Sequence, residues 1–288
     1  MTHKQKLLSL PFCGLIWLLA WAAPVTVVSA DERPAGLEKA LKDLQERVNQ
    51  QGLLNGIFLK DAYLNARGEL VLKGFWPRCD KQLFEEQTKR LEKLITDYGK
   101  TDWTAIREVP RIDFDQMDRV TNLLDQLQQE AAKQQGLRDV LFSALKYDGG
   151  HLRFEVVQGG SHSKEELEQF VGTVLTRGTD WQLIATSLSA RTTDRQATVW
   201  SVRILETFSF REFVSEVQAE IAHKVGLDGV FVDNMFFNER GNLALEGIRP
   251  PAPQAGSEDL IARQLNDVLA ARISSHGEKW GSFTPADL

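Results

Sequence analysis

Two stretches of this chain repeat one another, and that repeat constrains its fold more than any other feature. Leu54–Gly74, LNGIFLKDAYLNARGELVLKG, aligns without a gap with Leu227–Gly247, LDGVFVDNMFFNERGNLALEG, at an offset of 173 residues, with nine of 21 positions identical. A third, degenerate copy lies between them, where Gly150-His151-Leu152-Arg153-Phe154 replaces the Gly-x-Leu-x-Leu core and Val156 stands at the second glycine. The flanks repeat as well. Each copy follows an amphipathic stretch ending in Gly-Leu (Gly52-Leu53, Gly136-Leu137, Gly226-Leu227). Each precedes a second helical stretch that runs to a glycine and a tryptophan (Gly99 to Trp103, Gly178 to Trp181, Gly277 to Trp280).

The pieces have separate physical readings. Leu37, Leu41, Leu44 and Val48 form a helical stripe, as do Val120, Leu123, Leu124 and Leu127 in the second copy and Phe213, Val217 and Ile221 in the third. Gly52 can close the first such helix in a left-handed conformation, with Leu53 or Leu54 packing back on it. Asn65-Ala66-Arg67-Gly68 and Asn238-Glu239-Arg240-Gly241 have the composition of a type I turn followed by a glycine bulge, which makes each repeat a β-hairpin. Leu70 and Leu72 point opposite to Val71 and Lys73, so one sheet face is expected to be buried and the other largely solvent-facing. Second helices are expected to start near Asp80, Ser163 and Ser257, with Ser163-Lys164-Glu165-Glu166 a capping box. A short strand is expected after each of these glycines, best seen in Trp181–Ser189. Thr198–Ile204 alternates as an added strand after a turn at Thr192–Arg195.

The expected fold class is therefore α+β: three tandem α-β-β-α-β units, each a small mixed sheet with two helices packed on one face. The units are expected at 35–112, 113–208 (degenerate, with an extra strand) and 209–288, with Pro250–Pro253 a stiff loop inside the third.

Ahead of the repeats, Lys4 and Lys6 precede a continuous apolar run from Leu7 to Ala23. Val28-Ser29-Ala30 supplies the small residues of a cleavage site. Residues 1–30 read as a cleaved secretory signal peptide, which makes the protein exported and periplasmic. The alternative is an uncleaved anchor in the inner membrane. Cleavage removes two lysines and no acid, taking the net charge from -6 to -8 and leaving Cys79 as the one cysteine. Export without disulfides suits a bacterial periplasm, and the fold must rest on burial alone. The acidic balance speaks against nucleic acid as a partner.

The α-β-β-α-β order and the pattern Gly-x-Leu-x-Leu-x-Gly at Gly68–Gly74 and Gly241–Gly247 resemble BON domains, small modules of bacterial envelope and osmotic-shock proteins. The resemblance implies an exported, non-enzymatic protein that acts as a binding or scaffold module for phospholipid head groups or another envelope component. A similar α/β element builds the rings of secretion systems, so self-association as an oligomer or ring component is the first alternative. An enzyme with a site between units is the second.

No residue pattern demands a cofactor or a metal. His151, His162, His223 and His276 lack the spacing of a metal site, although His151 and His162 flank one strand. Gly159-Gly160-Ser161-His162-Ser163 is glycine-rich before a helix, but Ser163 as a cap explains it as well as a phosphate cradle does. Asp113, Asp115 and Asp118 read as the lead-in to a helix at 116. Trp103, Trp181 and Trp280 read as core anchors, and Cys79 as a loop residue beside a helix start. Arg67 and Arg240 recur at the two hairpin tips. As repeated exposed guanidinium groups suited to a phosphate or carboxylate, they are the candidate contact residues.

Overall fold

A computed structural model describes residues 33–276, apart from 108, 149, 191–198 and 249–256. Residues 1–30, read above as a signal peptide, lie outside the described residues, as do the expected Thr192–Arg195 turn, the Pro250–Pro253 loop, Trp280 and the strand expected beside it. The described chain is a mixed α+β structure of small sheets and seven α-helices.

Helix α1 (Leu37–Asn49) buries the expected stripe of Leu37, Leu41, Leu44 and Val48. It ends through Gln50 in the right-handed region, and Gly52 opens a single 3-10 turn rather than closing the helix in a left-handed conformation. Leu54, fully buried, is the residue that packs back, while Leu53 stays exposed.

Strands β1 (Phe58–Leu64) and β2 (Leu70–Pro77) form the expected antiparallel hairpin. Gly68 N–H donates to Asn65 O at 2.8 Å, and Gly68 sits at φ 73°, where glycine meets no Cβ penalty. Helix α2 (Lys81–Thr101) starts on Asp80, whose carboxylate accepts Leu83 N–H at 2.8 Å. Trp103 anchors the chain beyond it, 4% exposed, with its indole N–H donating to Ala35 O at 3.0 Å.

The expectation of a solvent-facing side fails for this sheet. Val71 and Phe75 are buried alongside Leu70 and Leu72, and Phe75 packs with Phe58 into the core of the next sheet. Fully burying a side chain of this size contributes about 2–3 kcal/mol.

Strands β3 (Ile112–Asp113) and β4 (Met117–Val120) both run parallel to β2. No helix starts at 116. Asp113 Oδ1 accepts Asp115 N–H at 2.9 Å in the turn between the two strands, and Val120 is a strand end rather than part of a helical stripe. The first sheet therefore extends past the boundary expected at 112/113.

The second sheet follows after two residues. Its elements are α3 (Leu123–Lys133), β5 (Val140–Asp148), β6 (His151–Gln158), α4 (Lys164–Arg177), α5 (Trp181–Ser189) and β7 (Trp200–Thr207). Ser163 forms the full capping box of α4 with Glu166. Trp181–Ser189 is a helix, not a strand. Ile184 and Leu188, four apart and fully buried, satisfy a helical stripe, while Leu183 faces out. The strand read as extra, β7, pairs parallel to β6 as β4 pairs to β2. The added element is thus α5. Its leading Asp180 carboxylate accepts Thr121 N–H (2.7 Å) and Thr121 Oγ1–H (2.8 Å).

The third sheet again follows after two residues. It comprises α6 (Phe210–Ile221), β8 (Phe231–Phe237), β9 (Leu243–Ile248) and α7 (Ser257–Ser275), with two strands among the described residues. The expected α6 stripe is buried. On α7, Ile261, Val268, Leu269 and Ile273 face the core, whereas Leu260 lies exposed.

One local device recurs in all three places. Gln45 Nε2–H donates to Ile57 O and its Oε1 accepts Leu59 N–H. Gln128 does the same with Val140 and Phe142, and Gln218 with Val230 and Val232. The spacings are 12 and 14 residues each time. Each clamp sits just before a register shift, at Lys60, Ser143 and Asp233. A bulge leaves strand backbone without its ladder partner, and the carboxamide supplies both a donor and an acceptor to the same short stretch.

Candidate functional site

The turn geometry places Arg67 and Arg240 identically within their hairpins. Asn65 Oδ1 accepts the N–H groups of Arg67 (2.9 Å) and Glu69 (3.0 Å), and Asn238 Oδ1 accepts those of Arg240 and Asn242, both at 2.9 Å. Both arginine side chains are exposed and make no ion pair among the described residues. They belong to different sheets, and their surroundings differ. A Cβ on Gly241 would lie 2.9 Å from Leu141 of the second sheet, whereas Gly68 has nothing within 4 Å.

A cavity of about 510 Å³ opens between α1, β1 and the β5–β6 turn. Its walls include Leu37, Leu41, Phe58, Leu59 and Tyr147. Asn49 fixes Tyr147 from α1, its Nδ2–H donating to Tyr147 O at 2.7 Å and its Oδ1 accepting Tyr147 N–H at 3.2 Å. The Tyr147 ring stacks on Phe58 with centroids 4.6 Å apart. Tyr147 is 3% exposed, and its phenol has no hydrogen-bond partner among the described residues. Burial raises its pKa, so the hydroxyl stays protonated and available as a donor. The rim carries both signs, with Arg33 paired to Asp61 at 3.2 Å and Lys42, Glu46 and Asp148 nearby. Such a pocket can hold an apolar or aromatic body. The sequence reading missed Tyr147.

The other candidates resolve into structural roles. His151 and His162 lie at opposite ends of β6 and do not meet. His162 Nε2 contacts Asp139 Oδ1 at 2.8 Å, and His276 Nε2 contacts Glu216 Oε2 at 2.9 Å. No group of three or more His, Cys, Asp or Glu among the described residues could hold a metal ion. In the glycine-rich segment, a Cβ on Gly159 would fall 2.4 Å from the Phe210 ring, so that glycine serves close packing. Trp181 is half-buried against the second core rather than fully sealed in it. Cys79 is half-buried, and burial pushes its thiol pKa up, which makes it a poor nucleophile. No described helix is long and apolar enough to cross a membrane. Comparison with family models, with curated proteins and with solved structures finds no match.

Proposed function

We propose that the chain is an exported, non-enzymatic scaffold of the bacterial envelope, built from three tandem α-β-β-α-β units of BON-like character. Its hairpin tips bind phospholipid head groups or another anionic envelope component. The Gln45, Gln128 and Gln218 clamps, at one common spacing, support a repeated unit. The observation that carries the binding part is Arg67 and Arg240, equivalent in their turns, exposed, and unpaired among the described residues. An arginine fork suits phosphate and carboxylate oxygens. The net negative charge, -6 before and -8 after the expected cleavage, speaks against broad electrostatic adhesion, so this reading places binding in these local sites.

Co-sedimentation with vesicles of anionic and of zwitterionic lipid tests this. The reading predicts salt-sensitive binding to anionic vesicles that is lost in the Arg67→Ala/Arg240→Ala double variant. Equal sedimentation of the double variant, or none for the parent chain, overturns the lipid reading. A second reading, assembly into an oligomer, is favoured by the exposed pair Phe231 and Ile248.

A further inference from the structure

The two junctions inside the chain use the same face of the hairpin. In each hairpin the same cross-strand pair stands one step before the last pair ahead of the register shift: Phe58 with Phe75, Leu141 with Val157, and Phe231 with Ile248. Phe58 and Phe75 are buried in the second core. Leu141 and Val157 pack in the third. Phe231 and Ile248 occupy the same register position and are 51% and 71% exposed. An apolar pair on a strand face is ordinarily covered, and twice in this chain it is.

The opposite end of the junction also has an open copy. At the second junction the tip of the third hairpin receives Leu141 over Gly241. Arg138 lies 3.6 Å from the Phe236 ring centroid, with its guanidinium 3.4 Å from Glu246. The equivalent tip in the first hairpin is Gly68, Tyr63 and Lys73. Nothing lies within 4 Å of a Cβ on Gly68, and Lys73 Nζ lies 4.6 Å above the Tyr63 ring. The residue of the third sheet equivalent to Arg138 is Asp228, which is exposed. The charges are exchanged: Arg138 meets Glu246 within the chain, and Asp228 would meet Lys73 between chains.

We propose that the Phe231–Ile248 face docks on the hairpin tip of the first sheet in a second copy of this chain. This contact repeats the junction between the second and third sheets, with Asp228 opposite Lys73. It is heterologous, so each chain keeps one donor face and one receiving tip, and the assembly grows head to tail. The inference rests on the three-unit reading and uses the hairpin tip that also carries Arg67, so it is tested in the absence of lipid.

Sedimentation velocity of the full chain, in lipid-free buffer over a concentration series, tests it. The average mass is expected to rise above one chain with concentration. Phe231→Asp/Ile248→Asp, at exposed positions, should hold the chain at one copy, and so should Lys73→Asp. Mixing these two variants should yield a one-to-one dimer, because each retains the end that the other lacks. Combining Lys73→Asp with Asp228→Lys in one chain should restore association. A chain that stays monomeric at all concentrations overturns the proposal, and leaves residues 277–288 or another partner as the cover for this face. Continued association of the Phe231→Asp/Ile248→Asp variant, or a mixture that stays monomeric, overturns it too. A Leu141→Asp control reads the repeat separately. If it loosens the third sheet while the parent chain is monomeric, the repeat stands and the self-association fails.

Discussion

Gln45 Oε1 accepts the backbone N–H of Leu59 at 2.8 Å, and the same carboxamide donates to Ile57 O at 3.1 Å. Truncation would leave both backbone groups buried without partners, at about 1–3 kcal/mol per group. Gln45→Ala and Gln128→Ala should therefore lower the urea midpoint markedly at unchanged slope. Gln218 is only half-buried, so Gln218→Ala should cost less. Gln45→Glu should be at least as damaging as Gln45→Ala at neutral pH, since a carboxylate cannot donate to Ile57 O.

Close backbone approach explains the second glycine of the repeated motif. A Cβ on Gly74 would lie 1.8 Å from Phe58 O, and one on Gly247 would lie 2.0 Å from Phe231 O. Gly74→Ala should destabilise by about 3 kcal/mol, the upper end for overpacking, because the bulge must move. Gly136 has open space and no positive φ, so Gly136→Ala should be neutral or stabilise by up to about 1 kcal/mol. Thermal melts of the two variants order them.

Tyr98 should make the protein sensitive to high pH. Burial, together with a hydrogen bond from its hydroxyl to Asp43 at 2.9 Å, pushes its pKa from 10.0 up to about 12. The folded state favours the protonated phenol. This contribution is complete below pH 10 and is lost as pH rises from there toward 12. Tyrosinate absorbance should rise late with pH, and Tyr98→Phe should remove part of the delayed component.

Asp180 acts at the other end of the scale. Hydrogen bonds from the Thr121 hydroxyl and N–H, with help from Arg78, hold its carboxyl below the usual 3.8. The stabilisation is present above that value and is lost as pH falls through the lower folded value. The gap in melting temperature between the parent chain and Asp180→Asn should be open at pH 6 and should narrow below about pH 4.

The hairpins were legible because their turn chemistry is local. Asn65 and Gly68 announce the same structure as Asn238 and Gly241. The helix at Trp181–Ser189 was misread because nine residues of mixed apolar and hydroxyl type fit either period. Only burial of Ile184 and Leu188 on one face decides between them. β4 was hidden because Met117 to Val120 pairs with β2, about 40 residues earlier, and a four-residue strand with Asp118 and Arg119 at its centre carries no alternating pattern and no signal of its parallel partner. The Gln clamps were equally hidden, since a lone glutamine in a helix has no sequence context that marks its partner. Tyr147 was missed because what singles it out is the cavity between two sheets.

The central claim, that the first and second sheets are each joined to the next by a cross-strand pair inserted into its core, is tested most directly by hydrogen exchange on Phe75→Ala. Phe75 is 1% exposed and belongs to the second core, and this truncation typically costs about 3–5 kcal/mol. The account predicts faster exchange in Val140–Asp148 and His151–Gln158 of the second sheet as well as in Leu70–Pro77. Faster exchange confined to the first sheet would contradict it.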